Sequence, residues 1–362
     1  MQFVMRPQRK LPRKFLRGTM ATALAGAIEN ADCWPLRLPF HRSFRLPHRR
    51  TGLQEPLGRI GPLDVRLAQS PAEVRLAQRL RYHVFYEEMA AIAGADALRT
   101  RRDRDSFDPI CDHLLVIDRD RRGSQGLADG LNRARVETET MPPRPLFRHE
   151  PVIVGTYRLL RQEISELNGD FYSAGEYDIG SLIDRHPGLR FLELGRSCVL
   201  EPYRNKRTVE LLWHGIWSYV LMHGIDVMFG CASLAGTNAD RLAPMLSFLH
   251  HKARAPEPWQ VGVNSDRYVE MNRMPADAID ERAVLRQLPP LIKGYLRLGG
   301  FVADGAVVDH QFGTTDVLIV LPVAAINRRY VDHYGANAGR FSPNRSDQHH
   351  SGQNDRLRRN LT

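Results

Sequence analysis

The chain has 362 residues, 43% of them apolar, and a formal net charge of +10. That suffices to bury a sizeable core in one large domain or two small ones. Residues 1–60 hold twelve Lys and Arg against Glu29, Asp32 and Glu55 (+9), and residues 340–362 hold five Arg against Asp347 and Asp355 (+3), so the region between is about −2 and excludes a basic, nucleic-acid-binding body.

In the amino-terminal tail the basic stretch MQFVMRPQRKLPRKFLRG precedes a mildly apolar run from Met20 to Ile28. That run falls far short of the roughly 20 residues a membrane span needs. Its Thr and Gly content and the lack of a cleavage-like site speak against export. Residues 1–60 are expected to form either a peripheral anchor on anionic lipid or a disordered extension from an upstream start. The folded body should occupy residues 61–335, and residues 336–362 should be a disordered tail.

Within the body, Leu63 to Ala68 reads as a first strand. A helix should follow from Pro71 to about Met89, with Ser70 as its cap, Pro71 at its first position and Glu73 three residues after the cap. Leu114 to Asp118 is a short apolar strand. Residues 119–150, rich in Gly, Arg and Pro, read as an exposed insertion. Val152 to Leu160 and Leu192 to Leu200 are the next strands. Val209, Leu212, Trp213, Ile216, Trp217, Val220 and Leu221 then fall at helical spacing, in a helix capped by Thr208 and ending near Gly224. Val227 to Ala232 is a strand, Ala239 to Lys252 a helix, Arg282 to Leu298 a helix stopped by Gly299 and Gly300, and Val317 to Leu321 a late buried strand. Strands interspersed with helices imply an α/β layered domain.

Cys33, Cys111, Cys198 and Cys231 show neither paired spacing nor a zinc pattern. Cys198 and Cys231 lie in apolar runs where a buried, inert thiol is expected, in keeping with a reducing cytoplasm. No metal site stands out among the fourteen histidines. His250 and His251 read as helix-end residues, and His349 and His350 as part of the tail.

The segment from Leu192 to Trp213 carries the most chemistry. A strand bearing Glu193 and Arg196 runs into a basic turn with Arg204, Lys206 and Arg207, which opens a helix. Anions are favoured at a helix N-terminus, so this turn suits a phosphate. It reads equally well as a solvated surface turn. By strict alternation Leu192, Leu194 and Arg196 point one way and Glu193, Gly195 and Ser197 the other, so Glu193 and Arg196 share a face only if a bulge intervenes.

The run LELGRSCV followed by YRNKRTVELLW resembles the acyl-donor motif of GNAT-type acyltransferases, in the form of the bacterial ornithine lipid enzymes, ornithine acyl-carrier-protein N-acyltransferases. RYHVFYEEM from Arg81, DSFDPICDHLLVID from Asp105, VGTYRLL from Val154, LPPLIKGYLRLGG from Leu288 and DHQFGTTDVLIVLP from Asp309 resemble the same family, in the same order. The likeness spans about Leu63 to Gly335, and it implies a GNAT-like α/β acyltransferase fold, a mixed central sheet flanked by helices with a C-terminal helix-strand extension. Acyl-homoserine-lactone synthases share the pattern more loosely, and the segment ending in DVLIVLP fits the ornithine lipid enzymes and the related hemolysin-like acyltransferases better. The phosphate turn departs from the glycine-rich GNAT loop, because Arg207 and Thr208 stand where small residues are common. That implies contact through side chains, and a carrier protein's single phosphodiester rather than coenzyme A.

The resemblance implies transfer of a 3-hydroxyacyl chain to the α-amine of L-ornithine, with no bound cofactor and the phosphopantetheine arm of acyl carrier protein as donor. Such a reaction needs a group that takes up the amine proton and donors for the oxyanion. Glu193 is expected as general base, and otherwise as an ion-pair partner of Arg196 or Arg158. Arg81, Arg158 and Arg196 are candidates for the acceptor's carboxylate, since a guanidinium binds it bidentately. Asp105 and Asp108 are candidates for its side-chain ammonium, or else turn caps. Phe85 is expected to line the acyl channel or sit in the core, and Asn238 to donate near the thioester. Arg204, Lys206, Arg207 and Thr208 would bind the donor phosphate, with Arg241, Lys252 and Arg254 steering an acidic carrier. Two other readings stay open: a lactone synthase using S-adenosylmethionine, and a non-catalytic protein that binds acyl carrier or a membrane surface.

Overall fold

The computed structural model describes residues 55–120, 152–264 and 266–326. The expectations for residues 1–54, for nearly all of the insertion and for residues 336–362 lie outside the described residues.

Nine strands build one sheet: β1 (Gly58–Ile60), β2 (Leu63–Leu67), β3 (Asp112–Asp118), β4 (Val152–Arg161), β5 (Phe191–Val199), β6 (Val227–Ala235), β7 (Tyr268–Val269), β8 (Phe301–Asp309) and β9 (Thr314–Pro322). Their spatial order is β1-β2-β3-β4-β5-β6-β9-β8-β7. Every neighbouring pair is antiparallel except β5 with β6, which is parallel. β3 and β4 are buried along almost their whole length, as expected of strands covered on both faces. Alternate residues accordingly enter two cores: Leu192 and Leu159 join one, Phe191 and Leu160 the other.

Helices α1 (Pro71–Tyr82) and α5 (Lys206–His223) supply Leu80, Leu211, Leu212 and Ile216 to the first core. The second is closed by Phe171, Tyr177, Ile179 and Leu182, the last two from α4 (Ile179–Asp184). The remaining helices are α2 (Ala95–Thr100), α3 (Gln162–Asn168), α6 (Ala239–Ala253), α7 (Glu281–Gln287) and α8 (Pro290–Leu298). Ser70 caps α1 as its sequence predicts, its hydroxyl accepting from the Glu73 amide at 3.3 Å. Past Tyr82 the helix widens into a π turn over His83–Glu88, which ends with the Met89 amide donating to the Val84 carbonyl.

Two expectations are corrected. The helix expected from Arg282 to Leu298 is two helices, because Pro289 and Pro290 remove two amide donors and force Leu288 out of helical geometry. Asn205, not Thr208, caps α5, its Oδ1 accepting from the Arg207 and Thr208 amides at 3.0 and 3.3 Å. Thr208 is instead buried in the first turn. The other end is as expected, with Gly224 in the left-handed region at φ 56°.

The strand pair β5–β6 positions the site. It holds register only at Phe191↔Val227, Leu192↔Met228 and Glu193↔Phe229, after which both strands continue without pairing to each other. At the point of parting, a Cβ on Gly230 would lie 2.2 Å from the Leu194 carbonyl oxygen, so only glycine allows this approach. On its other edge β5 carries an extra residue against β4, between the pairs Thr156↔Cys198 and Arg158↔Gly195. Arg196 takes up that bulge at φ 49°.

Candidate functional site

A cavity of about 590 Å³ lies where β5 and β6 separate. Val84 and Phe85 from the π turn, Val209, Leu212 and Trp213 from α5, and Leu291 from α8 give it an apolar wall. Phe85 both lines the cavity and packs, half-buried, against the first core. Consecutive residues Leu194 to Val199 all line the cavity, which strict alternation forbids and the bulge at Arg196 permits.

Arg81, 1% exposed, is sealed in. Its two terminal nitrogens donate to the two Asp108 oxygens at 2.8 Å each, and its Nε pairs with Asp103 at 2.8 Å. Gln78 donates to Asp108 as well. Burial alone would raise the Asp108 carboxyl, but hydrogen bonding and charge from Arg81, with Arg158 behind, hold it well below the usual carboxylate range. Asp105 accepts from Arg158 at 2.6 Å and from Arg196 at 3.3 Å, and also caps its own turn through the Phe107 and Asp108 amides. The two aspartates, candidates for an ammonium or for turn caps, therefore hold arginines, with Asp105 also a turn cap, and Arg81, one of three candidates for a carboxylate, is a core cation outside the cavity lining. Asp103, a member of the same network, was not singled out in the sequence because nothing in its spacing sets it apart.

Arg158 and Arg196 do line the cavity. Arg158 lies over the Phe107 and Tyr172 rings at 5.6 and 5.4 Å, and Arg196 lies between Tyr172 and Phe312 at 4.9 and 5.1 Å. Such stacking fixes a guanidinium plane while leaving its in-plane donors for an anion. The polar contacts of Arg196 are long, 3.3 Å to Asp105, 3.5 Å to the Tyr172 hydroxyl and 3.5 Å to Asp103.

Glu193 also lines the cavity, from a buried position. Its carboxylate accepts from the Tyr172 amide at 2.9 Å, the Ser173 amide at 2.7 Å and the Ser173 hydroxyl at 2.5 Å. Its hydrogen-bond partners are thus a neighbouring turn and not the arginines considered from sequence. Burial pushes its carboxyl up, against the pull of those hydrogen bonds. Beside it the Cys231 Sγ lies 3.6 Å from the Ser173 hydroxyl, and burial holds this thiol well above its ordinary value, so it is no ready nucleophile.

The basic turn stands at the start of α5. Arg204, itself part of the lining, pairs with Glu88 and donates to the Val199 carbonyl at 2.9 Å. Lys206 lies 3.7 Å from Glu210, and Lys206 and Arg207 are exposed. Thr208, with its side chain buried, cannot reach a phosphate at this surface. Asn238 caps α6, its Oδ1 accepting from the Asp240 and Arg241 amides, and does not line the cavity. Lys252 and Arg254 are paired with Glu281 and Asp304 at 2.7 Å each, whereas Arg241 is exposed.

Sequence reading missed an acidic wall. Glu176, Asp309 and Asp316 all line the cavity, with Thr314 among them. Glu176 pairs with Arg267 at 2.7 Å, and Asp309 Oδ1 accepts from the Gln311 and Phe312 amides. The sequence of β9 offered a signal, since Thr314, Thr315 and Asp316 form a polar start to an otherwise apolar strand. Among the described residues no group of three or more His, Cys, Asp or Glu is placed to hold a metal ion, and no helix is long and apolar enough to cross a membrane.

Residues 80–214 match the family model described as an acetyltransferase (GNAT) domain. A curated protein of Rhizobium meliloti, L-ornithine N(alpha)-acyltransferase, is 53% identical over 286 residues, covering 79% of this chain and 88% of its own length. One of the same name from Rhodobacter capsulatus is 38% identical over 271 residues, covering 75% of this chain and 94% of that one. Among solved structures, an N-acyl amino acid synthase from uncultured soil microbes is 10% identical, covers 72% of this chain and 91% of its own, and superposes with a TM-score of 0.34.

Proposed function

The chain belongs to the L-ornithine Nα-acyltransferase family and is an acyltransferase with a GNAT domain, and on that premise we propose that it moves a 3-hydroxyacyl chain from acyl carrier protein to the α-amine of L-ornithine. The product is a lyso-ornithine lipid, the first intermediate of ornithine lipid synthesis. The observation that carries this reading is the cavity at the strand fork, whose wall runs from Phe85, Leu212 and Trp213 to Arg196 and Glu193. One wall suits a hydrocarbon chain and the other a zwitterionic amine.

In this reading the acyl-pantetheine arm enters between β5 and β6, where the facing strand edges are not paired to each other beyond Glu193 and Phe229. Backbone amides at that edge offer donors for the thioester oxygen as it gains charge. Arg196, fixed by its two aromatic neighbours, takes the acceptor's carboxylate. The α-amine attacks only in its neutral form, and the α-ammonium of a free amino acid holds its proton above neutral pH, so a base in the site is required. Its nitrogen attacks the thioester carbon, a C–N bond forms, the C–S bond breaks, the amine proton passes to Glu193 directly or through a water, and the sulfur leaves and is protonated as the free thiol. A carboxylate raised by burial is a better proton acceptor at neutral pH than an exposed one.

The donor's phosphodiester is assigned to Arg204, Lys206 and Arg207. Because Asn205 already takes the Arg207 and Thr208 amides, side chains rather than a bare helix end meet the phosphate. That arrangement favours the single phosphate of a carrier protein, whose acidic surface these residues also attract.

The test is an assay of purified protein with 3-hydroxyacyl carrier protein, following free thiol and lipid product with ornithine, lysine, S-adenosylmethionine or no acceptor. Ornithine-dependent product supports the proposal. Release only with S-adenosylmethionine would replace it with lactone synthesis, and no release with any amine would leave a binding role.

A further inference from the structure

Four groups on the cavity wall take no part in the steps above: Glu176, Asp309, Thr314 and Asp316. Two of them have their polar atoms engaged, Glu176 by Arg267 and Asp309 Oδ1 by two amides. The other two do not. Thr314 is 4% exposed, and its hydroxyl oxygen has no hydrogen-bond partner among the described residues. Asp316 Oδ1 is equally shut off from solvent and equally without a partner. The Ser233 and Thr314 hydroxyls approach this carboxylate without closing a hydrogen bond on Oδ1, and Glu176 and Asp309 add negative charge beside it.

A buried carboxylate oxygen left unmatched is costly, and buried polar atoms normally find partners. Two acceptor atoms, one on each of two residues pointing to the same side of β9, and two further carboxylates, call for a compact cation with several donors. An alkylammonium supplies three N–H donors and a full charge. We propose that Asp316 and Thr314, backed by the negative field of Glu176 and Asp309, bind the side-chain ammonium of the acceptor amino acid, and so select a diamino acid over a monoamino acid of the same length. This deepens the acceptor reading above and rests on it. Arg196 and the acidic wall then hold the two outer charges of one extended molecule, leaving its α-amine for the thioester.

The experiment compares kcat/KM for L-ornithine and for L-norvaline, which keeps the carbon chain and lacks the ammonium, using 3-hydroxyacyl carrier protein as donor. The wild-type chain should prefer ornithine by about 100-fold or more, the scale of a charged hydrogen-bonded contact. Asp316→Asn should cut that preference to below about 10-fold, with the loss expressed as a higher KM for ornithine. Thr314→Val, of nearly the same shape, should lower it by about 5-fold and keeps the inference testable if Asp316→Asn folds poorly. Preference retained in both variants would overturn the inference, as would a wild-type chain that uses norvaline as well as ornithine. A wild-type chain that uses neither overturns the acceptor reading itself, which separates the two failures.

Discussion

If Asp316 waits for a cation, it should weaken the ligand-free fold, and Asp316→Asn should strengthen it. The Asp316 carboxyl is pushed up to about 6 from an ordinary 3.8, first by burial and then by the charges of Glu176 and Asp309, with Ser233 and Thr314 offsetting part. At about 1.4 kcal/mol per tenfold, that displacement amounts to about 3 kcal/mol when the group is fully ionised. The sign follows from proton counts. Between pH ~4 and ~6 the folded chain holds the Asp316 proton that the unfolded chain has lost, so stability falls as pH rises through this window. Asparagine cannot ionise. Asp316→Asn should therefore exceed the wild type by at most about 3 kcal/mol at pH 7.5, by about half that at pH 5, and by nothing below pH 4. For a domain of this size each kcal/mol moves the melting temperature by about 2–4 °C. Glu176, Asp309 and the Arg267 ion pair are present in both proteins, so the comparison isolates the change at position 316. Thermal unfolding of the ligand-free proteins at the two pH values measures it. A variant no more stable than wild type at pH 7.5, or an advantage that does not shrink at pH 5, would refute the reasoning and make Asp316 an ordinary structural acid.

Glu193→Gln should lower kcat by about 100-fold or more while acyl-carrier binding persists, the scale of general-base assistance; stopped-assay kinetics with donor binding measured separately checks this, and full activity would remove Glu193 from proton transfer. Replacing Arg204 and Lys206 together by Ala should raise the KM for the acyl carrier donor and flatten its dependence on salt, leaving the KM for ornithine nearly unchanged; unaltered donor kinetics would dismiss the phosphate assignment. Gly294 lines the cavity on α8, and a Cβ there meets nothing within 4 Å. Gly294→Leu should turn the enzyme toward shorter acyl chains, since excluding three methylenes costs about 2–3 kcal/mol of burial; a donor series of increasing length reads the effect, and an unchanged length profile would place the acyl chain elsewhere.

The strands and long helices were legible in the sequence because each has a period, and periods survive in one dimension. β2, β3, β4, β5, β6 and β9 lie where apolar runs and alternation put them. β8 escaped notice because Gly305, at φ 98° within a register shift against β9, interrupts its pattern. The site was harder to read, since proximity in a folded chain has no signature in spacing. Asp105 and Asp108 look like free carboxylates in the sequence, and only the packing of α1 against their turn shows that Arg81 and Arg158 neutralise them. Glu193 and Arg196 came together through one bulge, whose existence rests on the φ of a single residue. Asp316 was hidden for the opposite reason: it sits in a strand recognised for its apolar residues, where one acid reads as the solvent side.

The charges divide the molecule's tasks in space. Around the cavity stand the carboxylates Glu88, Asp103, Asp105, Asp108, Glu176, Glu193, Asp309 and Asp316, against the guanidiniums Arg81, Arg158, Arg196, Arg204 and Arg267. The three arginines of the inner network are matched by Asp103, Asp105 and Asp108, Arg204 by Glu88 and Arg267 by Glu176. The surplus is Glu193, Asp309 and Asp316, and burial raises the carboxyls of Glu193 and Asp316. In the proposed reading, a donor phosphate repelled from such a pocket would be met instead by Arg204, Lys206 and Arg207 at the start of α5. An amino acid with one carboxylate and two ammoniums is attracted, because it returns to the pocket the positive charge that the surplus acids lack. Arg196 alone would accept any amino acid. Specificity for a second ammonium has to come from acids that no arginine has already satisfied; on this wall those are Asp309, whose Oδ1 two amides take, and Asp316, whose Oδ1 has no hydrogen-bond partner among the described residues.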